Sequence, residues 1–153
     1  MKQKAVSNHI VLVYDGKPAS YNAKKKESVK LFQKRIASCY DRKYKGKLTQ
    51  NKLYATVYYF YREDTKIDTD NISKPLWDAL RAKAFDDDFQ IKVRCAASIN
   101  LEEEMVILDD TLIPRDVFYE LSDGIDNHDH TLYIELGELE TVDKLFQQTA
   151  LWK

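Results

Sequence analysis

Ten residues near the middle of the chain narrow its fold more than any others. Leu53 to Arg62 reads Leu-Tyr-Ala-Thr-Val-Tyr-Tyr-Phe-Tyr-Arg, and so dense a run of aromatic and β-branched side chains predicts a strand. Tyrosines can stack on nucleic-acid bases. Adjacent strand positions point to opposite faces, however, so packing a sheet is the commoner use of such a run. Ile91 to Ile99 alternates, with Ile91, Val93, Cys95, Ala97 and Ile99 inward and Lys92, Arg94, Ala96 and Ser98 outward. Asn8 to Tyr14 is a short apolar run that Asp15-Gly16-Lys17-Pro18 interrupts, and Thr131 to Leu136 is a fourth strand candidate.

Helical spacing appears between these runs. From Asn22 to Cys39, Val29, Phe32, Ile36 and Cys39 recur at three and four residues, while Lys24, Lys25, Lys26, Lys30, Lys34 and Arg35 fill much of the rest. That pattern predicts an amphipathic helix with a basic outer face. A second helix is expected to begin near Ile72, capped by Asp70 or Asn71, with Pro75 in its first turn. Val142 to Leu151 reads as a closing helix. Residues 100–130 are acidic and uneven, with a short strand candidate at Met105–Leu108 and a helical turn after Pro114. The order of elements predicts one α+β domain, a mixed β-sheet packed by two main helices.

Composition excludes several classes. At 153 residues, 44% hydrophobic and 32% charged, with only four Gly and three Pro, the chain is neither disordered nor fibrous. Cys39 and Cys95 are too few and too far apart for a disulfide framework or a zinc knuckle, and read as two buried thiols in a reducing compartment. No apolar run approaches the roughly 20 residues of a membrane-spanning helix. The apolar run Ile10 to Tyr14 is too short for a secretory leader, so a cytoplasmic location is expected.

The net charge of −1 conceals an asymmetry. Residues 1–64 carry a net +10 and residues 65–153 a net −11. A basic half suits a polyanion-binding surface, though lysines solvating a helix give the same count. Arg42, Lys43, Lys45, Lys47 and Lys52 lie in Tyr40 to Lys52, expected to be a basic loop. Arg42, Lys43, Lys45 and Lys47 as a group would contact phosphate rather than bases, the alternative being a solvated loop with no ligand.

One segment offers chemistry. Asp68, Asp70, Asn71, Lys74, Asp78, Asp87, Asp88 and Gln90 gather around the second helix. Hard oxygen donors beside an ammonium are what a Mg²⁺-dependent phosphodiester-cleaving site requires. Lys74 and Asp78 form an i, i+4 pair. Asp68 and Asp70, in an extended chain, would project on one face about 7 Å apart, and a shared cation relieves their repulsion. The competing reading is a helix N-terminus favoured by its acidic residues, followed by a solvated Asp86-Asp87-Asp88 turn. A helix running from Ile72 to Ala84 would be roughly 20 Å long. For Asp88 to join Asp68 and Asp70, the helix must end near Arg81, unless Asp88 completes a site across a subunit boundary; the first is preferred. The pair His128 and His130 is read as an acidic surface hairpin rather than a metal pair.

In order, Asp68-Thr69-Asp70-Asn71-Ile72-Ser73-Lys74, Asp78-Ala79-Leu80 and Asp87-Asp88-Phe89-Gln90 resemble the signature of the RusA family of Holliday-junction resolvases. Pro18-Ala19-Ser20-Tyr21-Asn22 resembles the segment before that family's first helix. The likeness covers residues 8–99 and 130–137. It implies a homodimeric, Mg²⁺-dependent endonuclease that binds four-way DNA junctions and nicks opposing strands symmetrically. Carried over, Asp68, Asp70 and Asp88 are the metal-binding carboxylates and Lys74 the essential lysine, while Asn71 holds the turn. DNA binding would rest on Lys24, Lys25, Lys26, Arg42, Lys43, Lys45 and Lys47. Residues 100–130 look like an insertion and 138–153 like a C-terminal addition, and Asp86 leaves the choice between Asp87 and Asp88 open. Two other readings stand beside this one: a non-catalytic junction-binding or protein-interaction module on the same fold, and a nuclease acting on forks, flaps or RNA.

Overall fold

The structure, a computed structural model, describes residues 2–111 and 113–139. Its elements are β1 (Lys4–Ala5), β2 (His9–Asp15), α1 (Lys26–Lys43), β3 (Tyr44–Lys45), β4 (Leu53–Tyr61), α2 (Thr69–Leu80), β5 (Ile91–Asn100), α3 (Arg115–Asn127) and β6 (His130–Glu138). A 3₁₀ turn at Asp88–Gln90 precedes β5. The expected closing helix Val142 to Leu151 lies outside the described residues.

The main sheet has the order β2-β6-β4-β5, with β4 parallel to β5 and β6 antiparallel to both β2 and β4. This is the mixed sheet of an α+β fold. Every residue of β4 from Leu53 to Phe60 is buried, because the strand has neighbours on both edges and cover on both faces. On one face Ala55, Val57 and Tyr59 meet Phe32, Ile36 and Tyr40 of α1 and Ile72, Leu76 and Leu80 of α2. On the other, Tyr58, Phe60, Val11 and Tyr133 meet Val117 and Leu121 of α3. The helices that expose charge outward thus bury one stripe each.

Several expectations are corrected. α1 starts and ends four residues later than its predicted span. Its buried stripe is Phe32, Ile36 and Tyr40, the helix runs one turn past Cys39 to Lys43, and the Tyr44 N–H closes it on Tyr40 O. The basic segment is therefore not all loop: Arg42 and Lys43 finish α1, and Tyr44–Lys45 pairs in parallel with Lys4–Ala5. Residues 115–127 form a full helix rather than a turn, so that among the described residues α3 joins the two main helices expected, α1 and α2. Met105–Leu108 is not a strand, although Val106 and Leu108 pack on the α3-side core. The stretch Asp126 to His130 is the end of α3 running into β6, not a hairpin. In β5 a register shift between Leu53 and Tyr54 skips Lys92. Ile91 therefore packs on the α1–α2 side, while Cys95, Ala97 and Ile99 pack on the α3 side. Both thiols are free and half-buried.

Candidate active site

The helix carrying the acidic motif begins earlier than its sequence suggests. Asp68 stands at the N-cap of α2 with extended backbone, and Asn71 N–H reaches Asp68 O at 2.9 Å. Asp70 is thus already in the first turn, and the two carboxylates do not project from one extended face. The Asp68 side chain makes no capping hydrogen bond, so its carboxylate is not consumed by the cap. Thr69 Oγ1 meets Ser98 Oγ of β5 at 2.9 Å, which fixes this end of α2 beside the C-terminal half of the strand. The loop leading in is anchored through Tyr59, whose Oη lies 3.4 Å from Thr65 Oγ1 and 2.7 Å from His130 Nδ1. Burial pushes the Tyr59 phenol up to about 12.

Because α2 starts at Thr69, Pro75 lies inside the helix rather than in its first turn. An interior proline removes the bond that would otherwise satisfy the carbonyl four residues back. That carbonyl is Asn71 O, and Tyr21 N–H takes the place of the missing donor at 3.0 Å. Asn22 Nδ2 adds a bond to Asn71 Oδ1 at 3.4 Å. The segment Pro18 to Asn22 is therefore docked on the motif helix. Its exposed Tyr21 ring lies 5.5 Å from Lys74 Nζ, and Lys74 sits 3.7 Å from Asp78 Oδ2 as the i, i+4 spacing predicts.

At its other end α2 stops at Leu80, as Asp88 was expected to require, and the chain turns through Ala82 at φ 69°. The three consecutive aspartates then take different partners. Asp86 pairs with Lys47 at 2.5 Å. Asp87 caps the 3₁₀ turn, accepting from Phe89 N–H at 3.3 Å, and Gln90 Oε1 accepts from the N–H groups of Asp86 and Asp87, each at 2.8 Å. Asp88 sits between two guanidiniums, with Arg81 Nη1 3.6 Å from Oδ2 and Arg94 Nη2 3.9 Å from Oδ1. Its Oδ1 is buried without a hydrogen-bond partner.

A family model described as endodeoxyribonuclease RusA matches residues 4–113. The chain belongs to the RusA endodeoxyribonuclease family. No curated protein matches it. The RusA match takes in α1, α2, β5 and the whole acidic motif and stops before α3 and β6, although β6 lies between β2 and β4 in the sheet.

Within this RusA-family chain the donor chemistry suits a hard divalent ion: carboxylate oxygens on Asp68, Asp70 and Asp88, one of them orphaned and buried. The three are not drawn together. Ser98 marks the Asp68–Asp70 end of the site and Arg94 the Asp88 end, four strand residues or about 13 Å apart. Among the described residues no group of three His, Cys, Asp or Glu side chains is placed to hold a metal ion. The basic residues also divide. Lys24, Lys25 and Lys26 are exposed and directly follow the docked segment, while Arg42 and Lys45 are exposed at the far end of α1. Lys43 is tucked against Tyr44 and faces Glu120 at 3.7 Å with a side chain only 13% exposed, and Lys47 is held by Asp86. Tyr21, Arg81 and Arg94 were not singled out from sequence. Tyr21 left a trace in the Pro18–Asn22 likeness; the arginines left none, since one reads as a helix end and the other as an outward strand position.

Proposed function

We propose that this chain is a Mg²⁺-dependent, structure-specific endodeoxyribonuclease that acts as a homodimer and resolves four-way DNA junctions by paired symmetric nicks. The observation that carries the reading is the start of α2, where Asp68 and Asp70 offer carboxylates beside Lys74 and the docked Tyr21. Asp68, Asp70 and Asp88 would hold the divalent ion. When bound, that ion neutralises the scissile phosphate and makes an attacking water more acidic. The remaining work falls to the chain itself. The N-terminus of α2 and the Lys74 ammonium favour a phosphate at this end of the helix, and Lys74 stabilises the negative charge that grows as the phosphodiester bond breaks. Lys24, Lys25 and Lys26 hold flanking phosphates and set the strand's path. A two-fold dimer accounts for two equivalent cuts in a two-fold junction.

The test compares cleavage of a four-way junction, a fork, a duplex and a single strand, with and without Mg²⁺. The junction should be cut at paired positions only with Mg²⁺. Asp70→Asn should bind it undiminished and lose at least about 100-fold in rate. Cleavage that persists in the Asp70→Asn variant, or that needs no divalent ion, would overturn the assignment.

A further inference from the structure

Met105–Leu108 has the sequence of a strand and no strand beside it. Its burial alternates: Val106 and Leu108 are half-buried against the α3-side core, while Met105 and Ile107 stand outward, 89% and 85% exposed. A period of two is that of extended chain. No residue from Glu104 to Asp109 lies in a turn or has a positive φ. Among the described residues Met105, Val106, Ile107 and Leu108 make no hydrogen bond. One side of the segment is thus anchored, and its backbone N–H and C=O groups are open to a neighbouring strand. Met105 and Ile107 are also the most exposed large apolar side chains among the described residues, the next being Phe89 at 61%. Two such side chains together on one face mark a place where something docks.

Charge decides what can dock. Glu102, Glu103 and Glu104 precede the segment, and Asp109 and Asp110 follow it. Among the described residues only Glu102 of these faces a cation, Arg62 at 3.5 Å. A second copy of the segment is a poor partner in either direction. Antiparallel pairing sets the glutamates against the aspartates, parallel pairing sets each group against its own kind, and like charges directly opposite destabilise a pair. A strand with basic flanks meets no such repulsion. Val106 and Leu108 pack on the α3 side of the sheet, whereas Asp68, Asp70 and Lys74 belong to α2 on the other side. A partner held here would leave the acidic motif open. We propose that Met105–Leu108 is a recognition strand that pairs edge to edge with an extended segment of another protein, apolar at alternate positions and carrying Lys or Arg on both flanks. The main-chain bonds hold the partner, Met105 and Ile107 cover its apolar side chains, and the carboxylates select its charge.

The test uses the full chain and a labelled synthetic peptide, Lys-Arg-Val-Thr-Val-Thr-Val-Arg-Lys, followed by fluorescence anisotropy. One control peptide carries Glu in place of every Lys and Arg. A second keeps the charges but is N-methylated at every core residue, so that it cannot donate to a strand. The basic peptide should bind at least about 10-fold more tightly than either control. Amides from Met105 to Leu108 should exchange with deuterium freely in the unbound chain and about 10-fold more slowly at saturating peptide, with no change in α2. Met105→Ser/Ile107→Ser, which alters only outward side chains, should weaken binding about 10-fold without moving the melting temperature. Glu103→Gln/Glu104→Gln/Asp110→Asn should flatten the salt dependence of binding. No binding of the basic peptide, equal binding of all three peptides, or undiminished binding by the serine variant would overturn the proposal. So would slow exchange at Met105 to Leu108 in the free chain, which would mean that the surface is covered without a partner.

Discussion

Glu135 shows how one side chain's surroundings set a measurable property of the fold. It projects from β6 onto the α3-covered face, where Tyr54 donates to its Oε1 at 3.1 Å and Tyr133 lies alongside. Burial raises its carboxyl above the usual range, against the opposing pull of the bonds from Tyr54 and Tyr133. Burial and the same carboxylate push both phenols far above theirs. A carboxyl with a raised folded value contributes stability that is fully present below its unfolded value and is lost as pH rises through the folded one. At neutral pH and above, the ionised group therefore detracts from stability. Glu135→Gln, which stays neutral and can still accept from Tyr54, is expected to raise the melting temperature at pH 8 by about a few degrees. The gain should shrink at pH 4, where the wild type protonates. Thermal unfolding at the two pH values measures it, and a lower melting temperature at pH 8 would mean that the tyrosine bonds to the charged form outweigh burial.

At the scale of elements, α2 depends on a residue that ought to weaken it. An interior proline costs about 3 kcal/mol in an isolated helix, yet here the carbonyl it frees binds Tyr21 N–H and docks the Pro18–Asn22 segment beside Lys74. Pro75→Ala would return a donor to Asn71 O and set it in competition with Tyr21. The Tyr21 amide should then exchange with deuterium about 10-fold faster, while amides of β4 are unaffected; unchanged exchange at Tyr21 would show that the segment is held by other contacts. That link was half legible in sequence. Both halves could be quoted as motifs, but the contact depends on where α2 starts, and Asp68, Asp70 and Asn71 are all good caps within four residues, so local preference could not choose among them. β4 was legible because its aromatic and β-branched run has no competing use. The length of α3 was not, because its stripe of Val117, Leu121 and Gly124 is thin, interrupted by acidic residues and completed by a glycine. That glycine packs so close to Asp15 and Thr131 that an added Cβ would lie 2.5 Å from Asp15 Oδ1. Asp86, Asp87 and Asp88 are identical in sequence and only their neighbours distinguish them.

Across the whole molecule, the charge asymmetry resolves into a gradient along the layer formed by α1 and α2. The pairings Asn22–Asn71, Gln33–Pro75 and Asp41–Lys83 follow one another in order, so the two helices run side by side in the same direction. One end of that layer carries exposed Lys24, Lys25 and Lys26 beside the start of α2. At the other end Lys43 faces Glu120, Lys47 is held by Asp86 and Lys83 by Asp41. A lysine already facing a carboxylate gains less from a phosphate, because one partner must be given up for the other. The phosphate backbone should therefore be held chiefly at the Lys24–Lys26 end. Each neutralised phosphate contributes about 0.9 to the slope of log affinity against log salt. Replacing Lys24, Lys25 and Lys26 together by Gln should flatten that slope for a four-way junction by about two to three. Replacing Lys43 and Lys47 by Gln should change it by less than about one. Fluorescence anisotropy across a salt series separates these outcomes, and the reverse ranking would place the DNA over the far end of α1, away from the carboxylates at the start of α2.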